Sequence, residues 1–223
     1  IAPLVAALGL DSIKAQEHSA GALAALALDN KKNELSIAKL IVSLLGSDEK
    51  QASAKAARAI SHLARAHPAN QRSMADAGGV ALLVKLLDVE EGGAGQGGAG
   101  DGAKAGAKDL LDMAKVQKEM ASAIWSMAFE NPDNQKAIAQ AGGIPPLITL
   151  LDGHPEVHRD VAGALWSLAG NQHNQETIAQ KGGVEPLVEL LRNGDMDAQE
   201  TAAGALSALA ENTGNRERVA QAG

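Results

Sequence analysis

Apolar residues recur along this chain in blocks that return at intervals of about 40 positions. One block is a mainly apolar run, present as IAPLVAAL, AKLIVSLL, VALLVKLL, IPPLITLL and VEPLVELL from positions 1, 38, 80, 144 and 184. A second block is GALAAL, RAISHL, SAIWSM, GALWSL and GALSAL, from positions 21, 58, 122, 163 and 204. An asparagine follows each second block, at positions 33, 70, 134, 174 and 215. Three markers in one register predict five tandem copies of one structural unit.

Each unit has the pattern of three helices. Between positions 160 and 170, Val161, Leu165 and Leu168 recur at helical spacing, which predicts one buried face. The apolar run opens near a proline in three units, and proline suits the first turn of a helix. In NQETIAQKGG, Asn174 is the candidate cap of a short helix that the glycine pair ends. The run VALLVKLL alone also fits a buried strand, but its helical context favours a helix.

The third unit is longer than the others. Its apolar run and the next one begin 64 residues apart, whereas the following pair begins 40 apart. The additional residues are rich in glycine and alanine and lie between the second helix of the unit and a third helix that resumes near Asp109. Gly93, Gly95 and Gly98 have the G-x-G-x-x-G spacing of nucleotide-binding loops, but such loops follow a strand and the pattern predicts none here. We therefore predict a loop insertion at 89–108.

The five units form one array without a second domain. Their predicted boundaries are 1–37, 38–79, 80–143, 144–183 and 184–223.

Composition narrows the function classes. Aromatic residues make up 1% of the chain, so the core must consist of leucine, alanine, isoleucine and valine, which favours closely packed helices. A net charge of −7 argues against general nucleic-acid binding. There is no cysteine, and no apolar run approaches the roughly 20 residues that span a bilayer, so we expect no membrane insertion.

Chemical motifs give no support for catalysis. His154 and His158 have i, i+4 spacing beside acidic residues, as some metal ligands do. Pro155 should begin a helix and leave His154 outside it, and no third ligand is evident. We therefore expect no metal, no cofactor and no catalytic residue, and predict that the chain is not an enzyme.

The units resemble armadillo repeats. NQKAIAQAGGIPPLITLL, followed by VAGALWSLAGNQHN, carries the resemblance, which extends over the whole chain except the Gly-rich stretch. It implies an all-α fold, a right-handed α-solenoid with three helices per repeat, in which the short helix is the first, the apolar run the second and the GALWSL segment the third. The chain would then open in a second helix and close after a first helix. We expect a fragment of a longer chain, with further repeats or a partner beyond its ends.

The resemblance also implies that the third helices line a concave groove where extended peptides lie. The family's peptide-binding asparagines match positions without asparagine in this chain: Ala25, His62, Ser126, Ser167 and Ala208. The family's tryptophan array, four residues earlier, is absent as well. The peptide-clamping mode of nuclear import receptors is therefore not expected, and the consensus is closer to catenin-like and plant or protist repeats. In the catenin-like branch the preceding position, here Trp125 and Trp166, also faces the groove.

These positions define a predicted protein-binding groove. Its residues are Arg58, His62, Arg65, Lys118, Ser122, Trp125, Phe129, Arg159 and Trp166. Tryptophan is enriched at binding hot spots, although large rings in helices commonly serve packing. Arg58, His62 and Arg65 are spaced to share one helix face, and this basic centre fits an acidic segment with an aromatic or apolar anchor. A solvated charged face is the alternative interpretation.

The function that follows is a non-catalytic scaffold or adaptor, intracellular and cytoplasmic, that binds a protein or peptide in its groove. The alternative is a structural component of a large ciliary, cytoskeletal or membrane-associated assembly that makes contacts through its edges and ends. We expect no nucleic-acid partner.

Overall fold

A computed structural model of the chain describes residues 1–8, 10, 12–28, 30–87 and 107–223. Within these ranges the backbone forms helices and turns and no β-strand. The helices, in chain order, are α1 (Ala2–Ala7), α2 (Ile13–Ala27), α3 (Lys31–Leu45), α4 (Lys50–Ala64), α5 (Pro68–Asp76), α6 (Gly79–Leu87), α7 (Ala107–Ala128), α8 (Pro132–Gln140), α9 (Ile144–Leu150), α10 (Pro155–Leu168), α11 (Gln172–Gln180), α12 (Val184–Asn193), α13 (Met196–Glu211) and α14 (Arg216–Ala222).

The all-α prediction is confirmed. The run VALLVKLL is part of α6, so the strand alternative is wrong for this segment. The insertion predicted at 89–108 lies outside the described residues up to position 106. Helix α7 begins at Ala107, two residues before the predicted start near Asp109.

The third helices α2, α4, α7, α10 and α13 form the spine of an α-solenoid. The contacts of α7 with α4 and with α10 are the most extensive between any two helices of the described residues. Alanines such as Ala123 and Ala164 are completely buried and allow this close approach, while Leu165 and Met127 fill the space between helices. Each unit therefore buries its apolar face against the next one.

Where the first unit meets the second, the short helix and the apolar run form one continuous helix, α3, so the prediction of separate helices is wrong here. In the later units a Gly-Gly pair separates these helices, and the first glycine has a positive φ, 85° at Gly142 and 82° at Gly182. Such a φ is costly for residues with a Cβ atom, so glycine is what allows the turn. The segment from Asn33 to Leu45 has no Gly-Gly pair. Without that turn the backbone continues as a helix.

The repeated asparagines join consecutive units by buried hydrogen bonds. The Asn174 side-chain amide donates to the backbone oxygen of Leu168 at 3.0 Å and to that of Gln135, in the preceding unit, at 3.1 Å. Asn215 repeats the arrangement with Leu209 at 3.2 Å and Gln175 at 3.0 Å. The first acceptor lies at the end of a third helix, where carbonyl groups lack helical partners.

The prediction that Asn174 caps a helix is wrong. Asn171 is the cap of α11, and its side chain accepts from the backbone N–H groups of His173 and Asn174. Asn174 lies inside the helix and is 1% exposed. Its amide is thus available to bond the carbonyl groups of the solenoid core.

The Asn174→Ala substitution should lower the free energy of unfolding by about 2–4 kcal/mol, because two buried carbonyl groups would lose their donor. Urea denaturation followed by circular dichroism measures this change. The matched control is Asn193→Ala, at an exposed position at the end of α12, which should change stability by no more than about 0.5 kcal/mol. Equal losses for the two variants would contradict the structural role of Asn174.

Candidate binding groove

Most of the predicted groove residues lie on the third helices α4, α7 and α10, whereas Arg65 and Phe129 follow the ends of α4 and α7. Arg58 and His62 lie on α4, and both are partly exposed. Arg65 is not on the helix face expected from its spacing, because α4 ends at Ala64 and Arg65 has an extended ψ of 111°. The predicted three-residue basic face is therefore reduced to two residues on the helix.

Trp125 and Trp166 each pack on a glycine of the next third helix. A Cβ atom placed on Gly163 would lie 2.5 Å from ring carbons of Trp125, and one on Gly204 would lie 2.6 Å from ring carbons of Trp166. Both distances are far below van der Waals contact, so only glycine permits these packings. The rings therefore have a packing role, as the alternative interpretation of the sequence held.

The remaining exposure distinguishes the two tryptophans. Trp125 is half-buried, and the guanidinium carbon of Arg159 lies 5.7 Å from its ring centroid. This distance is within the range of a cation–π interaction. Trp166 is 41% exposed, as is Phe129, which directly follows α7. Trp166 and Phe129 are thus the large apolar side chains that the groove residues present to solvent.

The predicted basic centre is neutralised by carboxylates of the next third helix. The Nε atom of Arg58 donates to Glu119 on α7 at 2.9 Å. On the following helices, Lys118 lies 3.9 Å from Glu156.

Arg159 completes this series, with Nε 3.6 Å from a carboxylate oxygen of Asp197 on α13. Exposed pairs of this kind contribute at most about 1 kcal/mol to stability, so their main effect is on the local charge. Arg58, Lys118 and Arg159 were predicted to bind an acidic partner. In the structure each of them lies close to a carboxylate of this same chain. This pairing was not predictable from the sequence, because each acid lies on a different helix from its cation.

Serine hydroxyl groups also connect consecutive third helices. The Ser61 hydroxyl lies 3.1 Å from that of Ser122 and 3.2 Å from that of Ser126, across the α4–α7 contact. Ser122 also hydrogen-bonds the side chain of Asp160 on α10. The result is a polar chain through the centre of the solenoid.

Asp160 is a buried carboxyl group in this polar chain, with 5% exposure. Burial raises its pKa above the usual aspartate range. The hydrogen bond from Ser122 and the charges of Arg159 and Lys118 oppose this rise, while the charge of Glu119 adds to it. The folded chain therefore holds the Asp160 proton more tightly than the unfolded chain does.

The described residues contain no cluster of three or more side chains that could hold a metal ion. His154 caps α10, and its Nδ1 accepts from the backbone N–H of Glu156 at 3.2 Å. Pro155 is the first helical residue, as the sequence predicts. The Nε2 atom of His158 lies 3.2 Å from the carbonyl oxygen of Gly153. Both histidines thus contact the local backbone.

An apolar cleft of about 220 Å³ lies between α1, α3 and α4. Leu8, Ile41 and Ala56 are among its lining residues.

The described helices include none long and apolar enough to cross a membrane.

Asp160→Asn should change how stability depends on pH. The contribution of Asp160 to the free energy of unfolding is largest below about pH 3.9 and falls as pH rises through its raised folded pKa. Relative to the wild type, Asp160→Asn should therefore become more stable as pH rises from about 3 to about 7. Urea unfolding across this range measures the difference.

The matched control for this prediction is Glu189→Gln, which removes an exposed carboxylate from α12. A stability difference between Asp160→Asn and the wild type that is independent of pH, or that equals that of the control, would contradict the prediction.

Comparison with known proteins is consistent with this geometry. The family model described as Armadillo/beta-catenin-like repeat matches residues 131–170 and 171–211. The crystal structure of one engineered protein is 31% identical, with a TM-score of 0.68, over 93% of this chain and 78% of that chain. A second engineered protein is 29% identical, with a TM-score of 0.72, over 99% of this chain and 85% of that chain. No curated protein matches this chain.

A third similar structure is a designed armadillo repeat protein in complex with the peptide (KR)4. It is 25% identical, with a TM-score of 0.64, over 93% of this chain and 80% of that chain. The chain belongs to the armadillo-repeat family, because its repeat periodicity, its solenoid of third helices and these matches agree.

Proposed function

We propose that this chain is a non-catalytic scaffold or adaptor, working in the cytoplasm, that binds an extended protein segment along its third helices. The observation that carries the proposal is Trp166, which is 41% exposed although its ring packs directly on the backbone of α13 at Gly204. A rigid, partly exposed indole gives a large contact area at little entropic cost. The complex of the designed armadillo repeat protein with (KR)4 supports peptide binding by this fold.

The opposite charges of α4 and α13 favour a segment whose charge differs between these two helices. Helix α4 contains Lys50, Lys55, Arg58 and His62 and no acidic residue. Helix α13 contains Asp197, Glu200 and Glu211 and no basic residue. Between them, α7 and α10 carry charges of both signs.

The proposed partner therefore has an acidic part toward α4 and an aromatic or apolar anchor at Phe129 and Trp166. This retains the acidic segment expected from the sequence and restricts it to the part of the groove at α4. The different charges of α4 and α13 would fix the direction of the bound segment.

A second candidate is a structural role in a larger assembly. It is favoured by exposed leucines in the first two units, which are Leu10, Leu26, Leu28, Leu35, Leu40 and Leu44. Several exposed apolar side chains in one part of a chain are a reason to test that part as a protein contact surface. In this case the contacts would use α2 and α3 and would not depend on Trp166.

The groove proposal is tested with peptides selected from a random display library against the folded chain. The chain has two tryptophans and no tyrosine, so its intrinsic emission reports on the two candidate residues. We expect selected peptides to shift this emission to shorter wavelength, because binding covers Trp166. Trp166→Ser should weaken binding at least about tenfold, as expected for a hot spot.

The matched control for this experiment is Leu191→Ser, which changes an exposed apolar residue of α12. It should leave peptide affinity within about twofold of the wild type. Peptides that bind with unchanged emission and tolerate Trp166→Ser would contradict a groove site. If Leu28→Ser instead weakens those peptides, the contact surface of the first units is favoured.

A further inference from the structure

The cleft between α1, α3 and α4 is an apolar cavity large enough for a small ligand. Its volume is about 220 Å³, and its lining consists of eight apolar residues and one cation, Lys55. The apolar residues include Val5 and Leu8 at α1 and Ile41 and Leu44 on α3. An apolar cavity of about 150 Å³ is sufficient to hold benzene. The cleft therefore has room for a short alkyl chain.

Small side chains on α4 explain why the second unit has this open space. Ala52 and Ala56 both line the cleft. In the fourth unit the corresponding positions of α10 are Val157 and Val161, and both valines are completely buried. In the third unit the position of Ala56 is occupied by Met120, which is also completely buried. The second unit thus lacks side-chain volume that the next two units have in their cores.

Lys55 places one positive charge in this apolar lining. It is half-buried on α4, and within the described part of the chain it forms no ion pair. Helix α1 has no charged residue, and α4 has no acidic residue. The acid of α3, Glu34, lies in the first turn, whereas Leu44 lines the cleft from the last turn. Asp48 and Glu49 precede α4 and are exposed. The charge at the cleft therefore favours an anion.

From this combination we infer that the cleft is a binding site for a small carboxylic acid with an unbranched alkyl chain. The alkyl chain lies among the apolar side chains, and its burial drives binding. The carboxylate pairs with the Lys55 ammonium, which favours an anionic head group over a neutral one. Binding at this site does not involve Trp166 and is independent of the proposed groove function.

The test compares three ligands by isothermal titration calorimetry. Octanoate should bind to the folded chain with a dissociation constant below about 1 mM. Octanamide has the same shape without the charge, and butyrate keeps the carboxylate but has a shorter chain. Each of these two should bind at least about tenfold more weakly than octanoate, because each lacks one of the two interactions.

Lys55→Met tests the role of the ammonium group, because methionine keeps an apolar side chain of similar length. It should weaken octanoate binding about tenfold and leave octanamide binding within about twofold of the wild type. The matched control is Lys50→Met, which removes an exposed cation from the first turn of the same helix. It should change octanoate affinity by no more than about twofold.

Ala52→Val tests the location of the alkyl chain, because two added methyl groups would occupy part of the cleft. It should weaken octanoate and octanamide alike, each about tenfold. Ala54→Val is the matched control, at a half-buried position of α4 that does not line the cleft, and should leave both affinities within about twofold. Valine occupies the position of Ala52 in α10, so the variant is expected to fold, and circular dichroism verifies this.

Three results would overturn the inference. Equal affinities for octanoate and octanamide would contradict the preference for an acid. Octanoate binding that neither Lys55→Met nor Ala52→Val changes would contradict the cleft as its site. The third result is no octanoate binding at all. In that case, selected peptides that Ala52→Val weakens would identify a protein segment as the occupant, and self-association that Ala52→Val abolishes would identify a second copy of the chain.

Discussion

The close approach of consecutive third helices is the constraint on which the other features of this chain depend. Alanine and glycine at the contacts bring the backbones together, and Gly163 and Gly204 leave space for an indole from the preceding helix. This geometry places the buried asparagines within reach of carbonyl groups in two units. It also brings Arg58 close enough to Glu119 to form an ion pair. The composition of the chain, poor in rings and rich in small residues, follows from the same constraint.

The sequence was sufficient to predict the fold because the signal is repeated. Helix type, solenoid architecture and family follow from three markers in one register, and α6 and α10 lie where the pattern places them. Three local features were predicted incorrectly, one of which is the break between two helices that α3 replaces with a continuous helix. Asn174 has the residue type of a cap but is used for contacts between units, and Arg65 has the spacing of a helix face but follows the end of the helix.

The groove was less predictable because its properties depend on pairs of residues from different units. Trp125 and Trp166 occupy equivalent positions, yet the residue that follows one unit later differs: Arg159 lies over the ring of Trp125, whereas the corresponding position after Trp166 is Glu200. The pairing of Arg58 with Glu119 has the same character. Periodicity finds equivalent positions within units. It does not reveal which residues of neighbouring units contact each other. These contacts determine the charge and the exposure of the groove side chains.

The tryptophan–glycine contacts have a consequence for the order of the repeats. At three contacts between consecutive third helices, the facing side chains are matched in size. Trp125 and Trp166 each meet a glycine, and Ser61 meets Ser122. A unit with tryptophan placed before the unit of Arg58 would bring two large side chains to one position. The units are thus not interchangeable modules, although they share one fold. Rearranging or duplicating them would require matched changes at each junction, so the junction, more than the single repeat, is the unit that natural selection or protein engineering must preserve.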